Sequence, residues 1–268
     1  LAVLNVPGKQ LEVSALDVGQ GDAILIQKGS QQILIDGGPS PDAICLELGK
    51  QMPFWDRNVE LVVLTHPQDD HLAGLVEVLR RYKVGQVLEP GFEYETCIYR
   101  EWLKLIDEKN IKRTIAQAGQ QITLGDEVKI DVLHPQEELL EDTDSDVNNN
   151  SVVLHLAESE ISFLFTGDIE RESEQELLYH RARGLESTVL KVAHHGSDTS
   201  TCPEFLNTVD PQVAVISVGE DNKFGHPSPE VVERLRQRLG EDKVYITSEQ
   251  GTITFTTDGE RLWVKAER

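Results

Sequence analysis

The segment Thr65-His66-Pro67-Gln68-Asp69-Asp70-His71 gathers imidazoles and carboxylates into one short stretch. Neutral imidazole and ionised carboxylate are ordinary ligands for divalent metals that drive hydrolysis. The stretch follows the apolar run Val59-Glu60-Leu61-Val62-Val63-Leu64, which reads as a buried strand. It precedes residues 72–81, whose apolar spacing is that of a helix. The ligands are thus expected on the turn where a strand meets a helix, a place where several donors can aim at one point. The plain alternative is a solvated loop rich in His and Asp.

Further signals flank this turn, each where an apolar run stops. Upstream lie Asp17-Val18-Gly19-Gln20-Gly21-Asp22 and Ile35-Asp36-Gly37-Gly38; downstream lie Thr166-Gly167-Asp168, Ala193-His194-His195-Gly196-Ser197 and Gly225-His226-Pro227-Ser228. Five of the eight histidines, His66, His71, His194, His195 and His226, fall in these loops, whereas His134, His155 and His180 do not.

Strand-like runs at 11–17, 22–28, 32–36, 59–64, 127–133, 151–157 and 160–166 alternate with helical patterns near 42–51, 71–82, 97–108 and 170–182. More strand-like runs follow at 187–193, 212–218, 243–247, 251–256 and 261–265, with a helix near 228–239. This order predicts an α/β layered protein. No Pro/Gly/Ser-rich linker divides the motifs, so one domain over 11–268 is expected. The chain begins at Leu1, and residues 1–10 are read as the remnant of a connection. No apolar run reaches the roughly 18 residues of a membrane span. Cys45, Cys97 and Cys202 are widely spaced and odd in number, so they form no zinc-type pair and no disulfide framework. They are expected to be small buried or semi-buried residues.

The formal net charge of −22 argues against a broad basic surface that grips nucleic acid through its phosphates. The acidic stretch 137–146 is expected to be a solvated mobile loop.

The ordered motifs resemble the metallo-β-lactamase superfamily, whose pattern is His-x-His-x-Asp-His, a later His, a Gly-Asp and a final His. Within it, Asp17–Asp22, the His-Pro-x-x-Asp-His turn, the Asn-Asn-Asn-Ser run at 148–151 and the His-His-Gly-Ser run look like the C-terminal domain of ComEC-type DNA-uptake competence proteins. The likeness spans roughly residues 11–265. It implies a four-layer αββα sandwich and a metal set of His66, Asp70, His71, Asp168 and His226. For Asp168 the alternative is a helix N-cap, and for His226 a turn residue before a helix. Gln68 stands where the pattern has its second His. An amide oxygen is a poorer donor, so the metal beside His66 is expected to be weaker than the one at Asp70 and His71. Asp69 is assigned to solvent.

No histidine fits the intermediate position, where Asn148 or Asn149 stands instead. Gln68, Asn149 and Asp17 are candidates for a ligand or for a group orienting one, and Asp36 is read as shaping a turn. Amide oxygens in place of imidazoles favour Mn²⁺ over Mg²⁺ or Zn²⁺. Asp70 is placed in the catalytic set with His195 and His194. On an extended backbone the two adjacent rings would face opposite ways, so His195 is favoured to assist the leaving oxygen and His194 is secondary. Ser197, Lys191 and Lys223, with Arg100 behind them, are candidates for phosphate contacts.

The function expected from this resemblance is a metal-dependent phosphodiesterase, a DNase of exonuclease type, acting on DNA during transformation uptake. The implied partner is the membrane-channel portion of a parent protein, and the implied location is a tethered domain on the extracytoplasmic face. Two alternatives remain open: a metal-dependent hydrolase of small esters or thioesters, and a degenerate domain that guides DNA.

Overall fold

A computed structural model describes residues 10–125, 128–181 and 184–268. Of the expected connection at 1–10, residues 1–9 lie outside the described residues.

Fifteen strands occur along the described chain. The first six are β1 (Leu11–Ala15), β2 (Ile24–Lys28), β3 (Gln31–Ile35), β4 (Asn58–Val63), β5 (Lys83–Glu89) and β6 (Lys112–Ile115). Then come β7 (Gln121–Leu124), β8 (Val128–His134), β9 (Val153–Glu158), β10 (Ile161–Phe165), β11 (Val189–Lys191), β12 (Val213–Ile216) and β13 (Val244–Ile246). The last are β14 (Ile253–Thr257) and β15 (Leu262–Ala266). They form two sheets, ordered β15-β14-β1-β2-β3-β4-β5-β6 and β13-β12-β11-β10-β9-β8-β7. Within the first sheet β3 to β6 run parallel, and within the second β10 to β13 do.

Helices α1 (Pro41–Gln51), α2 (Asp69–Arg81) and α3 (Cys97–Glu108) pack on the first sheet. Helices α5 (Arg171–Arg181), α6 (Pro203–Val209) and α7 (Pro229–Leu239) pack on the second; α4 (Asp146–Asn149) and α8 (Thr247–Gln250) are single turns. The apolar side chains sort accordingly. Val13, Ile26, Ile33, Val63, Leu154, Phe163, Val215 and Phe255 belong to the layer between the sheets. Leu25, Leu34, Val62, Leu75 and Trp102 lie under the first helices, and Leu164, Leu190, Phe205 and Leu235 under the second. The result is the four-layer αββα sandwich. Among the described residues no helix is long and apolar enough to cross a membrane.

Sequence periodicity misses β5, β6 and β7. Strand β5 carries Gly85 and Gln86 among its apolar residues, and its last residue, the fully buried Glu89, is unintelligible without its partners. Those are Tyr99 Oη (3.1 Å), Trp102 Nε1 (2.8 Å) and the Arg113 guanidinium, all from elements that follow it. Helix α6 is also missed, being two turns long. The three cysteines are free, but Cys97 is exposed rather than buried, because it starts α3 on its solvent side. The acidic stretch is only partly loop: Asp146, which accepts from Thr143 N at 2.8 Å, begins α4.

Two glycines set how α2 meets the first sheet. Gly37 N donates to His71 O (2.8 Å) and Gly74 N to Gly38 O (2.9 Å), so backbone lies directly on backbone. A Cβ on Gly74 would stand 1.9 Å from Gly37 O, and one on Gly37 would stand 2.5 Å from Leu75 N. Nothing larger than hydrogen fits. Gly74→Ala is therefore expected to lower stability by roughly 3 kcal/mol, the upper end of overpacking costs. Denaturant unfolding checks it, and divalent-metal affinity should fall in the same variant because α2 carries His71.

Candidate metal centre

The parallel strands of both sheets end at one place. Asp36 follows β3, Thr65 and His66 follow β4, Asp168 follows β10, Lys191 ends β11, His194 and His195 follow it, and Ser217 follows β12. Ligand sites lie at carboxyl ends of strands because the chain turns there with free side chains and amides.

His66, His71, Asp168 and His195 are all buried to 1% exposure or less. His71 Nε2 lies 3.2 Å and His195 Nε2 3.1 Å from Asp168 Oδ2; His66 Nε2 lies 4.0 Å from the same oxygen. Asp70 Oδ2 is 3.6 Å from His195 Nε2. Three groups emerge that share His71: His66 with His71 and Asp168, Asp70 with His71 and His195, and Asp22 with Asp36 and His71.

The outer ring nitrogens fix what the inner ones present. His71 Nδ1 faces Asp36 Oδ2 at 2.8 Å, and that carboxylate also accepts from Thr65 N (2.8 Å) and Thr65 Oγ1 (2.6 Å). His195 Nδ1 faces Ser217 O at 2.9 Å. An Nδ1 that donates leaves Nε2 as a bare acceptor. Both lone pairs then point at a carboxylate oxygen, which is also an acceptor. His66 Nε2, His71 Nε2, His195 Nε2 and Asp168 Oδ1 have no hydrogen-bond partner in this buried space. Converging acceptors without donors are what a divalent cation needs, and the residues fit one.

Electrostatics says the same. Burial alone would lower His71 and His195, but Asp168 and its neighbouring carboxylates outweigh it and hold both above the usual histidine range. Burial also opposes ionisation of Asp168, yet His195 and His71 hold it well below the carboxylate range. His66 behaves differently: burial and then the adjacent His71 push it down to about 3, so it is a neutral donor. The carboxylates demand positive charge at this point, and a cation can supply it in place of protons.

Beneath the cluster Lys191 is 1% exposed, with Nζ against Asp22, 3.7 Å from Asp168 Oδ1 and donating to Gly167 O at 3.1 Å. This corrects its expected role as a phosphate contact: a lysine sealed between two carboxylates cannot reach a substrate. Burial lowers its pKa, but Asp22 and Asp168 more than offset that, so it stays charged. Removing one partner of such a buried pair costs about 3–5 kcal/mol.

Other expectations also need correction. His226 is half-buried and stands beside His194, ring centroids 5.3 Å apart, outside the cluster; His195 takes the place in it. The His194–His195 backbone is not extended. Both residues are left-handed, with φ of 48° and 53°, a costly conformation for non-glycine residues that is held at functional sites. It turns the His195 ring inward, while His194 Nδ1 meets Glu170 Oε1 at 3.1 Å nearer the rim.

Asp17 pairs with Arg268, away from the cluster. The inward carboxylate of its loop is Asp22, which the sequence reading quoted without giving it a role. Asp36, read as a turn former, instead orients His71. Gln68 is not aimed at the cluster: its Nε2 donates to Asn148 Oδ1 (2.8 Å), and Asn148 Nδ2 donates to Glu170 Oε1 (3.0 Å).

Asn149 is no ligand, because its Oδ1 accepts from Glu170 N, Ser173 N and Ser173 Oγ at the start of α5. That leaves Asp168 free of the capping duty that its position suggested. Ser197 is buried against Thr199 (3.0 Å), a turn-holding bond. Arg100 sits on α3 beside Cys97, and Lys223 is exposed two residues from Gly225. Glu174, fully buried on α5, accepts Thr201 N and, at 2.9 Å, Cys202 N, tying α5 to the loop after His195.

Burial of an Asp at a strand end before two glycines was the available signal for Asp36. For Asp22 it was a carboxylate inside an otherwise apolar passage, Gly21-Asp22-Ala23-Ile24-Leu25. The sequence also hid why Gly21 is there: its Cβ would stand 2.0 Å from Asp70 O.

Residues 16–220 match the metallo-beta-lactamase superfamily. The chain belongs to that superfamily. It is 30% identical over 262 residues to ComE operon protein 3 of Bacillus subtilis (strain 168), covering 91% of this chain and 33% of that protein. It is 29% identical over 263 residues to Competence protein ComA of Neisseria gonorrhoeae, covering 98% of this chain and 34% of that protein. The chain thus spans about one third of the length of these curated relatives. Among solved structures it is similar to the metallo-beta-lactamase fold protein YhfI from Bacillus subtilis. The TM-score is 0.59 at 12% identity, over 95% of this chain and 100% of YhfI. The superfamily's fold binds divalent metals, and the strand ends described above supply candidate ligands for one.

Asp36→Asn is expected to weaken Mn²⁺ binding by about 10–100-fold, since the amide no longer fixes the His71 tautomer. Isothermal titration of the purified chain checks it, with circular dichroism to confirm an unchanged fold.

Proposed function

We propose that the chain is a divalent-metal-dependent phosphodiesterase that acts on DNA, as a nuclease domain of a DNA-uptake protein. The observation that carries this reading is the convergence of the unpartnered Nε2 atoms of His66, His71 and His195 on Asp168 Oδ2 at one buried point, with Asp70 at its open side. Asp70 is the most exposed member, 25% by its side chain, so substrate approaches from there. His66, Asp70, His71, Asp168 and His195 would hold the metal. Bound there, a divalent ion would supply Lewis acidity towards a phosphoryl oxygen and a lowered pKa for water near neutral pH.

Asp36 and Ser217 O hold the His71 and His195 rings in the tautomer that presents Nε2. Lys191 balances Asp22 and favours its ionised form, and its Nζ lies 3.7 Å from Asp168 Oδ1. His194, with Glu170 at its Nδ1, stands at the rim, where a ring nitrogen can hold or pass a proton to a departing oxygen. We take Mn²⁺ as the ion on the two carboxylates and the absence of a thiolate; the side-chain amides of Gln68 and Asn149 that argued for it are engaged elsewhere, and the three imidazoles suit Zn²⁺ as well.

The names of the relatives, among them Competence protein ComA, support DNA as substrate. The resemblance to ComEC-type proteins is our ground for proposing a domain tethered beside a membrane channel and facing the extracytoplasmic side, where the strand not taken up would be degraded. Exonuclease action fits a site recessed at the end of a sandwich. The net charge of −22 favours a second reading, hydrolysis of a small ester or thioester.

Incubation of the chain with linear DNA and Mn²⁺, Mg²⁺ or Zn²⁺ tests the first reading. Nucleotide release is expected with Mn²⁺, abolished by chelator and lowered at least about 100-fold in Asp168→Asn. Millimolar Mn²⁺ should raise the melting temperature of the wild type and leave the variant unmoved. No release with any of the three metals, alongside turnover of chromogenic esters, would select the second reading.

A further inference from the structure

We propose that Phe224, His226 and His194 form a stacking ladder for the unpaired bases of single-stranded DNA, leading from solvent to the metal centre. The proposal deepens the phosphodiesterase reading and rests on it for where the ladder leads. The lowest step is Phe224, a large apolar side chain left 63% exposed. Its ring lies nearly parallel to that of His226, 14° between planes and 5.9 Å between centroids. His226 meets His194 edge to face at 5.3 Å, and His194 meets His195 at 6.1 Å. His195 is the ring against Asp168. Four rings thus step inward from the surface.

The steps are held in place rather than loosely displayed. Asn222 Oδ1 accepts from Phe224 N (3.2 Å) and His226 N (3.0 Å), while Asn222 Nδ2 donates to His226 O (2.6 Å) and Gly219 O (2.9 Å). Ser228 N donates to Gly196 O at 2.8 Å, joining this loop to the one that carries His194 and His195. A fixed, exposed ring loses little freedom when a flat ligand covers it.

Charge decides what kind of ligand that is. A depression of about 260 Å³ at the rim is lined by Asp144, Glu170, Glu172 and Asp198, with Arg171 and Thr199, and would repel phosphate. With Lys191 buried, the loop offers Lys223 as its cation, a poor grip on a polyanion. Every base has a π-face, so stacking binds single strands where phosphate contacts are scarce. A base inside a duplex is already stacked on its neighbours and cannot use the ladder.

The test is fluorescence anisotropy with labelled hexathymidylate, a hexamer of abasic sites and a blunt twelve-base-pair duplex, in EDTA to prevent turnover. The wild type should bind hexathymidylate better than either other probe, with a shallow salt dependence. Phe224→Ala should bind it about tenfold more weakly, no better than the wild type binds the abasic hexamer. Phe224→Trp should restore binding and Phe224→Leu should not, which separates a π-face from apolar bulk. Equal affinity of wild type and Phe224→Ala for hexathymidylate, or full binding by Phe224→Leu, overturns the ladder. The two readings fail separately. A Phe224 effect in a chain that cleaves nothing with metal keeps the ladder and removes the phosphodiesterase, whereas cleavage of hexathymidylate by a chain indifferent to Phe224→Ala does the reverse.

Discussion

Three carboxylates, those of Asp22, Asp36 and Asp168, are each no more than 1% exposed, and buried negative charge is tolerated only where positive or donor groups face it. Lys191 answers Asp22, while His71 and Thr65 answer Asp36. Asp168 is shared between Lys191, His71, His195 and the space between them. Nearly every local oddity of the protein follows from meeting this demand. Glycine packs against glycine so that α2 can bring His71 to Asp36. Two successive left-handed residues bring His195 to Asp168. A lysine is buried where a leucine would otherwise end a strand.

The groups come from both sheets, and this is why the sandwich is needed. The first sheet supplies Asp22, Asp36, His66 and His71 from the ends of β1 to β4 and the start of α2. The second supplies Asp168, Lys191 and His195 from β10 and β11. Neither sheet alone brings an imidazole to Asp168 from both sides. The apolar layer between the sheets, with Phe163 and Phe255 in edge contact at 5.9 Å, therefore sets the separation of the ligands as well as the stability of the chain.

Much of this was legible in the amino-acid sequence. Alternating and continuous apolar runs gave most strands and the main helices. His66, Asp70, His71 and Asp168 stand in the sequence at or just past the ends of those runs, where loops at one end of the sheets are expected. What stayed hidden depends on direction rather than position. Nothing in the order of residues distinguishes His195 from His226, because the left-handed turn that aims one ring inward is a property of the folded loop. Lys191 reads as a surface cation until the sheets close over it. Asn149 reads as a ligand until its carbonyl oxygen is seen to be occupied by the first amides of α5. Strand β5 escapes because its terminal Glu89 makes sense only with Trp102 and Arg113, which come later in the chain.

Glu174 has no place in the chemistry, yet its carboxylate bolts α5, which follows Asp168, to the Thr201-Cys202 backbone, which follows His195. The loops that deliver these two groups are therefore not free to open one at a time. In terms of local unfolding, they belong to one cooperative unit, whose opening free energy is shared. Any opening at this end of the second sheet's central strands β10 and β11 therefore moves Asp168 and His195 together.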